Sequence, residues 1–216
     1  MKFRGLLAIA LITISTSVYA EDDHQAVSNA VDEVNANDEG AAEVMPPKRL
    51  RYLLGGGFTF GGDKLATVTY TDGSTDSITA GGMFDIHAGI DYRLNDDISL
   101  QGTLGYHFDL TKHASNGDVT FSRFPLEMMA YYHSSDVFRI GGGTRIVLNP
   151  KVEGTGLGSG LNMSFSNTFG LVVEGEYMVV PELGIKVRYV REKYKANGLS
   201  GSINGNHIGI LTNLYF

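Results

Sequence analysis

The stretch "FDIHAGIDYRLNDDISLQGTLGYHFD", residues 84–109, decides the fold. On both sides of Asn95-Asp96-Asp97 it alternates residue by residue. Before the turn, Phe84, Ile86, Ala88, Ile90, Tyr92 and Leu94 interleave with Asp85, His87, Gly89, Asp91 and Arg93. After it, Ile98, Leu100, Gly102, Leu104, Tyr106 and Phe108 interleave with Ser99, Gln101, Thr103, Gly105, His107 and Asp109. A period of two places each set on one face of a β-strand. The apolar face carries no charge in either arm. With a three-residue turn the two arms pair as a hairpin, and Asp85 falls opposite His107.

From Leu50 onward the same theme recurs. Eight alternating segments are predicted, at 50–60, 82–94, 98–110, 119–133, 137–148, 164–178, 183–194 and 206–216. Their length suits tilted strands that cross a bilayer. Short connections at 95–97, 134–136 and 180–182 alternate with long ones at 61–81, 111–118, 149–163 and 195–205, rich in Gly, Ser, Thr, Asn and Asp. Short turns at one end and long loops at the other is the pattern of an outer-membrane barrel, the short turns being periplasmic. Alternation alone also fits a soluble barrel with a buried apolar face; in lipid the sense reverses, apolar out and polar in. Strand length, turn asymmetry and the two ends of the chain favour lipid. The expected fold is all-β: an eight-stranded antiparallel up-and-down transmembrane β-barrel.

Register adds a test. A turn at Val180-Pro181-Glu182 sets Glu176 opposite Lys186 and Glu174 opposite Arg188, both on the inward face, as opposite charges across a ladder should be. The lipid side of that hairpin then reads Leu171, Val173 and Tyr177 against Ile185, Val187 and Tyr189. Further inward charges are Arg51, Asp85, Asp91, Arg93, Glu127, Arg139, Arg145 and Glu192. Eight strands leave an interior that side chains fill. Such a mixed-charge interior reads as a packed polar network, with a narrow water path as the alternative.

The ends agree. "MKFRGLLAIALITISTSVYA", residues 1–20, has a basic start, a short apolar run and Val18-Tyr19-Ala20, the pattern of a secretory signal peptide cleaved after Ala20. Residues 21–47 hold eight acids and no Lys or Arg, lack aromatics, and end at Pro46-Pro47; they read as an acidic, disordered periplasmic segment. Residues 48–216, the barrel, are near neutral, with 16 acids and 15 bases. That balance gives no basic patch for nucleic acid. Cysteine is absent, which removes disulfides and thiol metal sites. The last segment, "NHIGILTNLYF", places Ile208, Ile210, Leu214 and Phe216 on one face and is predicted to close the barrel against the first strand.

These features, and the unit "YRLNDDISLQGTLGYHFD" in particular, resemble the small outer-membrane β-barrel proteins of Gram-negative bacteria, of the OmpA-barrel, OmpX and OmpW type. The resemblance covers residues 48–216 and rests on pattern. It implies residence in the cell outer membrane among its lipid and lipopolysaccharide. It also implies insertion by the outer-membrane assembly machinery, with Gly209, Leu214 and Phe216 matching the C-terminal assembly signal and Thr212 standing where an apolar residue is usual. Roles in such barrels run from envelope anchoring to adhesion or small-solute passage.

Other motifs weigh less. Gly55-Gly56-Gly57 and Gly141-Gly142-Gly143 lack the Gly-Lys-Ser/Thr of a phosphate loop and suit strand kinks beside aromatics. Asp85, His87, His107 and Asp109 form an interior cluster, expected to join Glu174, Glu176, Lys186 and Arg188 in the structural polar network; Asp–His pairs also orient bases or bind metals. Lipid A deacylases use His-x-Ser-Asn, but here "SFSN" places Ser164 at the His position, and His133-Ser134-Ser135 lies at a turn. His113, Ser115 and Asp118 have the residue types of a palmitoyl-transferring barrel. No catalytic, cofactor-binding or metal residue is assigned. Tyr52, Tyr92, Phe108, Phe121, Tyr132, Tyr177 and Phe216 are expected to form the interfacial aromatic girdle. The 61–81 loop, with Thr71-Asp72-Gly73-Ser74 as its turn, should continue strands one and two as a hairpin above the membrane. The expected role is non-enzymatic, in envelope integrity or surface interaction through the loops. A narrow pore is the alternative, and a lipid-modifying enzyme is disfavoured.

Overall fold

A computed structural model describes residues 49–69, 73–110, 118–156, 159–197 and 201–216. Residues 1–48, with the leader and the acidic segment, residues 70–72 of the expected turn, and His113 and Ser115 lie outside the described residues. The long strands are β1 (Leu50–Gly61), β4 (Met83–Arg93), β5 (Ile98–Leu110), β6 (Val119–Ser135), β7 (Phe138–Gly154), β9 (Thr168–Val180), β10 (Leu183–Tyr194) and β12 (His207–Tyr215). Four short strands belong to the long loops: β2 (Lys64–Thr69), β3 (Thr75–Thr79), β8 (Met163–Ser164) and β11 (Ile203–Asn204).

The eight long strands pair antiparallel in the order β1-β4-β5-β6-β7-β9-β10-β12, and β12 returns to β1. The closing seam runs from Leu53 opposite Tyr215 to Gly61 opposite His207. A closed ring satisfies every strand edge internally, which is what hydrocarbon demands of backbone N–H and C=O groups. The hairpin registers match the turn lengths: Asp85 faces His107, Glu176 faces Lys186 and Glu174 faces Arg188.

The two faces settle the surroundings. Leu54, Ile86, Ile90, Leu104, Met128, Ile140, Val173, Val187 and Ile210 all point outward and are exposed, Met128 at 71%. Asp85, Asp91, Glu127, Arg139, Arg145, Glu174, Glu176, Lys186 and Arg188 of these strands point inward and are buried. A continuous apolar belt of this size does not persist in water, and apolar-out with polar-in is the arrangement of a membrane-spanning barrel. Aromatics mark both ends of the belt. Tyr52, Tyr92, Tyr132, Phe138, Tyr177 and Phe216 ring the short-turn end. At the long-loop end Phe58, Phe84, Phe108, Tyr106 and Phe124 form a chain of ring contacts with centroids 5.1–5.4 Å apart.

Phe121 is not in that girdle. It shares the parity of Glu127, Met129 and Tyr131 on β6, so it turns inward and is 0% exposed. The hairpin of the 61–81 loop forms, but as a separate two-stranded sheet of β2 and β3 rather than a continuation of β1 and β4. The break falls at Gly61 and Gly62, whose φ angles of 133° and 78° are open to glycine and strained for other residues. β6 and β7 run 17 residues each, past the ends expected from alternation. In β7 a bulge at Asn149, with φ 49°, switches the inward parity from Arg145 and Val147 to Val152. Of the glycine runs, Gly141 faces Tyr131 across the sheet, and the Tyr131 ring occupies the space a Cβ at Gly141 would need.

Candidate functional site

The interior is the chemically dense part of the molecule, and it is layered along the axis. At the short-turn end, β7 presents Arg139 to five acceptors. Its Nη1 donates to Asp91 Oδ1 (2.8 Å) and Ser99 Oγ (3.0 Å). Its Nη2 reaches Glu176 Oε2 (2.7 Å), Gln101 Oε1 (3.2 Å) and the Tyr215 hydroxyl (2.6 Å). Tyr215 in turn donates to Glu176 Oε1 (2.6 Å), and Arg51 holds the second oxygen of Asp91 (2.8 Å). The guanidinium also lies 4.0 Å from the Tyr131 ring centroid, a cation–π contact.

The middle layer is a zigzag of ion pairs. Lys186 meets Glu174 Oε1 at 2.8 Å, and the Tyr131 hydroxyl donates to the same oxygen. Arg188 bridges Glu174 (3.1 Å) and Glu127 (2.6 Å), and Arg145 bridges Glu127 (3.4 Å) and Glu192 (3.3 Å). Period-two alternation supplies these residues, and the hairpin registers set them opposite one another.

The third layer holds the histidines. His87 Nδ1 is 2.7 Å from Asp85 Oδ1, and its Nε2 is 2.8 Å from Asn213 Oδ1. His107 Nε2 faces Arg123 Nη2 at 3.0 Å and Thr59 Oγ1 at 2.7 Å. A guanidinium only donates, so Nε2 of His107 is the acceptor and its ring proton sits on Nδ1, turned towards Asp85 Oδ2 at 3.8 Å. The same reasoning holds for His207, whose Nε2 faces Arg145 Nη1 (3.4 Å) while its Nδ1 donates to Gly205 O (2.8 Å). Thr59, His107 and Asp85 stand in a row, but the Thr59 hydroxyl donates to Gly81 O and the 3.8 Å from His107 Nδ1 to Asp85 Oδ2 is beyond hydrogen-bond range, so they form no hydroxyl–imidazole–carboxylate relay. All three are enclosed, at 1%, 0% and 3% exposure.

Above the histidines the interior turns apolar. Ile78, Ala80, Val119, Phe121, Val147, Val152, Phe165 and Tyr194 form one buried cluster, with Leu65, Ala66, Ala196 and Ile203 packed against it. Phe121, Phe165 and Tyr194 meet edge to face at 5.6–6.0 Å. The descending end of the β2–β3 hairpin is fastened into this cap from below. Thr59 Oγ1 donates to Gly81 O (2.7 Å), Arg123 Nη2 to Gly82 O (3.3 Å), and Thr79 N to Asp109 Oδ2 (2.9 Å). Asp109 therefore stands apart from the Asp85 cluster with which its spacing grouped it; it anchors the loop instead.

Sequence reading placed Asp85, His87, His107, Glu174, Glu176, Lys186 and Arg188 inside, where they meet as described. It did not name Arg123, whose parity with Glu127 was the available signal. Arg93 sits at the rim, donating to the turn carbonyls of Asn95 (3.3 Å) and Asp96 (2.7 Å). Of "SFSN", Ser164 is exposed, Phe165 is in the cap and Ser166 donates to Asn197 Oδ1 (2.9 Å). Ser134 caps its turn at Phe138 O (3.2 Å). Leu214 and Phe216 face outward, and Gly209 packs inward beside Arg188, Thr59 and Leu211. A cavity of about 320 Å³ opens at the short-turn end beside Arg51, Arg93, His133 and Arg139, and one of about 100 Å³ lies in the cap beside Lys64, Leu161, Met163 and Phe165. Among the described residues no cluster of three or more His, Asp or Glu side chains has the arrangement of a metal site.

No protein family matches the chain by sequence, and no curated protein matches it. Solved structures do match in fold. The chain is similar to Ail, the attachment invasion locus protein of Yersinia pestis, in its complex with the heparin analogue sucrose octasulfate. The TM-score is 0.50 at 10% identity, covering 78% of this chain and 99% of that one. Ail without that ligand gives 0.50 at 11% identity, over 77% and 97%. Neisserial surface protein A gives 0.48 at 11% identity, over 77% and 97%. The likeness is one of fold, that of the small outer-membrane β-barrels.

Proposed function

We propose that this protein is a non-enzymatic outer-membrane barrel, sealed along its axis, that supports the envelope and presents its long loops to the exterior. The observation that carries the reading is the stack of a buried ion-pair network under an apolar cap. Side chains fill the axis from Arg139 to Phe121, and an eight-stranded barrel has no spare interior width once they do. The enclosure of Thr59, His107 and Asp85 supports a role other than catalysis. The ordered loop strands β2, β3, β8 and β11 support a surface built for contact. Ail, similar in fold, is known in complex with a sulfated saccharide, and loop-borne contact is the corresponding role proposed for this chain. Lipopolysaccharide and the assembly machinery are its proposed partners in the membrane.

The pore reading is the rival, and planar bilayers separate the two. Purified full-length protein is expected to give no conductance steps above background at either polarity. Reproducible steps that vanish with denatured protein would overturn the sealed-barrel reading.

A further inference from the structure

The outward face of β10 changes character along its length. Ile185, Val187 and Tyr189 are apolar or aromatic and lie in the belt; the next two outward positions are Arg191 and Lys193, with Lys195 one residue past the strand's end, all exposed. Tyr189 is an interfacial residue type at the long-loop end of the belt. The cations therefore begin where hydrocarbon ends. Arg191 is paired directly with Leu171 of β9, a lipid-facing residue, and Phe169 stands one outward position further along β9. An arginine flanked by lipid-facing side chains snorkels its charge to the headgroup level.

None of the three cations makes a side-chain hydrogen bond or ion pair with another described residue. By contrast, Lys151 at the same end of the barrel is paired with Glu153 at 2.9 Å. On the neighbouring walls the outward positions level with these include Phe60 on β1, Leu110 on β5, Thr120 on β6 and Leu148 on β7. Among the described residues, Arg191, Lys193 and Lys195 are the run of three cations at alternate positions on one wall. Successive outward residues are about 6.7 Å apart along a strand, so the cations rise from the belt as a ladder. Arginine and lysine together offer a planar fork and mobile ammonium groups to phosphate oxygens.

We propose that Arg191, Lys193 and Lys195 form a binding site for the phosphate groups of a phosphorylated lipid in the outer leaflet, whose acyl chains lie along Leu171, Val187 and Tyr189. The proposal rests on the transmembrane reading and assigns a partner to one face of the barrel. Attraction near a charged bilayer surface is worth on the order of a factor of five per cation, so the three together should contribute about a hundredfold in affinity.

Native mass spectrometry of the full chain, refolded in micelles with diphosphorylated lipid A or with its fully dephosphorylated form, tests this. Wild type should retain the diphosphorylated lipid about a hundredfold more tightly than R191Q/K193Q/K195Q, and high salt should weaken the retention. The dephosphorylated lipid should bind both proteins weakly and alike. The charge-conserving variant R191K/K193R/K195R should retain the lipid. Equal retention by wild type and the glutamine variant, or equal affinity for the two lipid forms, would overturn the site. Heat-modifiable gel mobility of each variant reports the barrel separately, so a folded barrel without phosphate dependence refutes the site and leaves the fold standing.

Discussion

Arg139→Ala should lower the free energy of unfolding by about 3–5 kcal/mol, the range found when one member of a buried charge pair is removed. Arg139 is 1% exposed and touches two carboxylates, Asp91 and Glu176. Its loss would leave Glu176 without a cation in contact and Asp91 with Arg51 alone. Tyr215, Ser99 and Gln101 would each lose a charged donor as well. Lysine in its place should recover only part of the loss, because one ammonium cannot reproduce the fork that spans both carboxylates. The measurement is equilibrium unfolding in urea from lipid vesicles. Lys151→Gln, which breaks an exposed pair, should change the same quantity by less than about 1 kcal/mol. A loss at Arg139 no larger than at Lys151 would mean the interior is wet and its charges solvated.

Deleting Phe216 should reduce the membrane-inserted, folded fraction far more than deleting one residue from the 195–205 loop. Phe216 N donates to Tyr52 O at 2.9 Å and Tyr52 N to Phe216 O at 3.3 Å, the last rung of the seam between β12 and β1. Its side chain is outward and in the aromatic girdle; moving such a ring from water into an apolar phase is worth about 1.5–3 kcal/mol. The deletion removes both, together with the residue that resemblance assigns to the assembly signal. Comparable folded fractions for the two deletions would show that closure does not depend on this terminus.

The barrel was legible because its determinants are local. Alternation fixes which side chains turn inward, and a three-residue turn fixes register, so Asp85–His107 and Glu174–Arg188 follow from counting. The cap was not legible, because its contacts join loops to a barrel mouth far away in sequence. Ile78 and Ala80 lie in a stretch whose strand character is plain, but nothing local says that the hairpin separates from β1 and β4. That separation depends on the φ angles at Gly61 and Gly62, and on Thr59, Asp109 and Arg123 reaching the loop. Phe121 illustrates the same boundary. Its parity was readable and points inward, yet an aromatic near a strand end suggests a girdle. It is interior because the upper barrel is filled by apolar residues where the lower barrel is filled by ions. The Asp–His spacing grouped Asp85, His87, His107 and Asp109; Asp85 pairs with His87 and faces His107, while Asp109 serves the loop.

Every inference about the interior, the cap and the basic wall of β10 depends on a closed barrel with its apolar face in lipid. Membrane fractionation followed by gel electrophoresis of boiled and unboiled samples tests this most directly. The account predicts recovery in the outer-membrane fraction, with the unboiled protein migrating differently from the boiled one because the barrel resists detergent until heated. Recovery in the soluble periplasmic fraction, or identical migration before and after boiling, would contradict it.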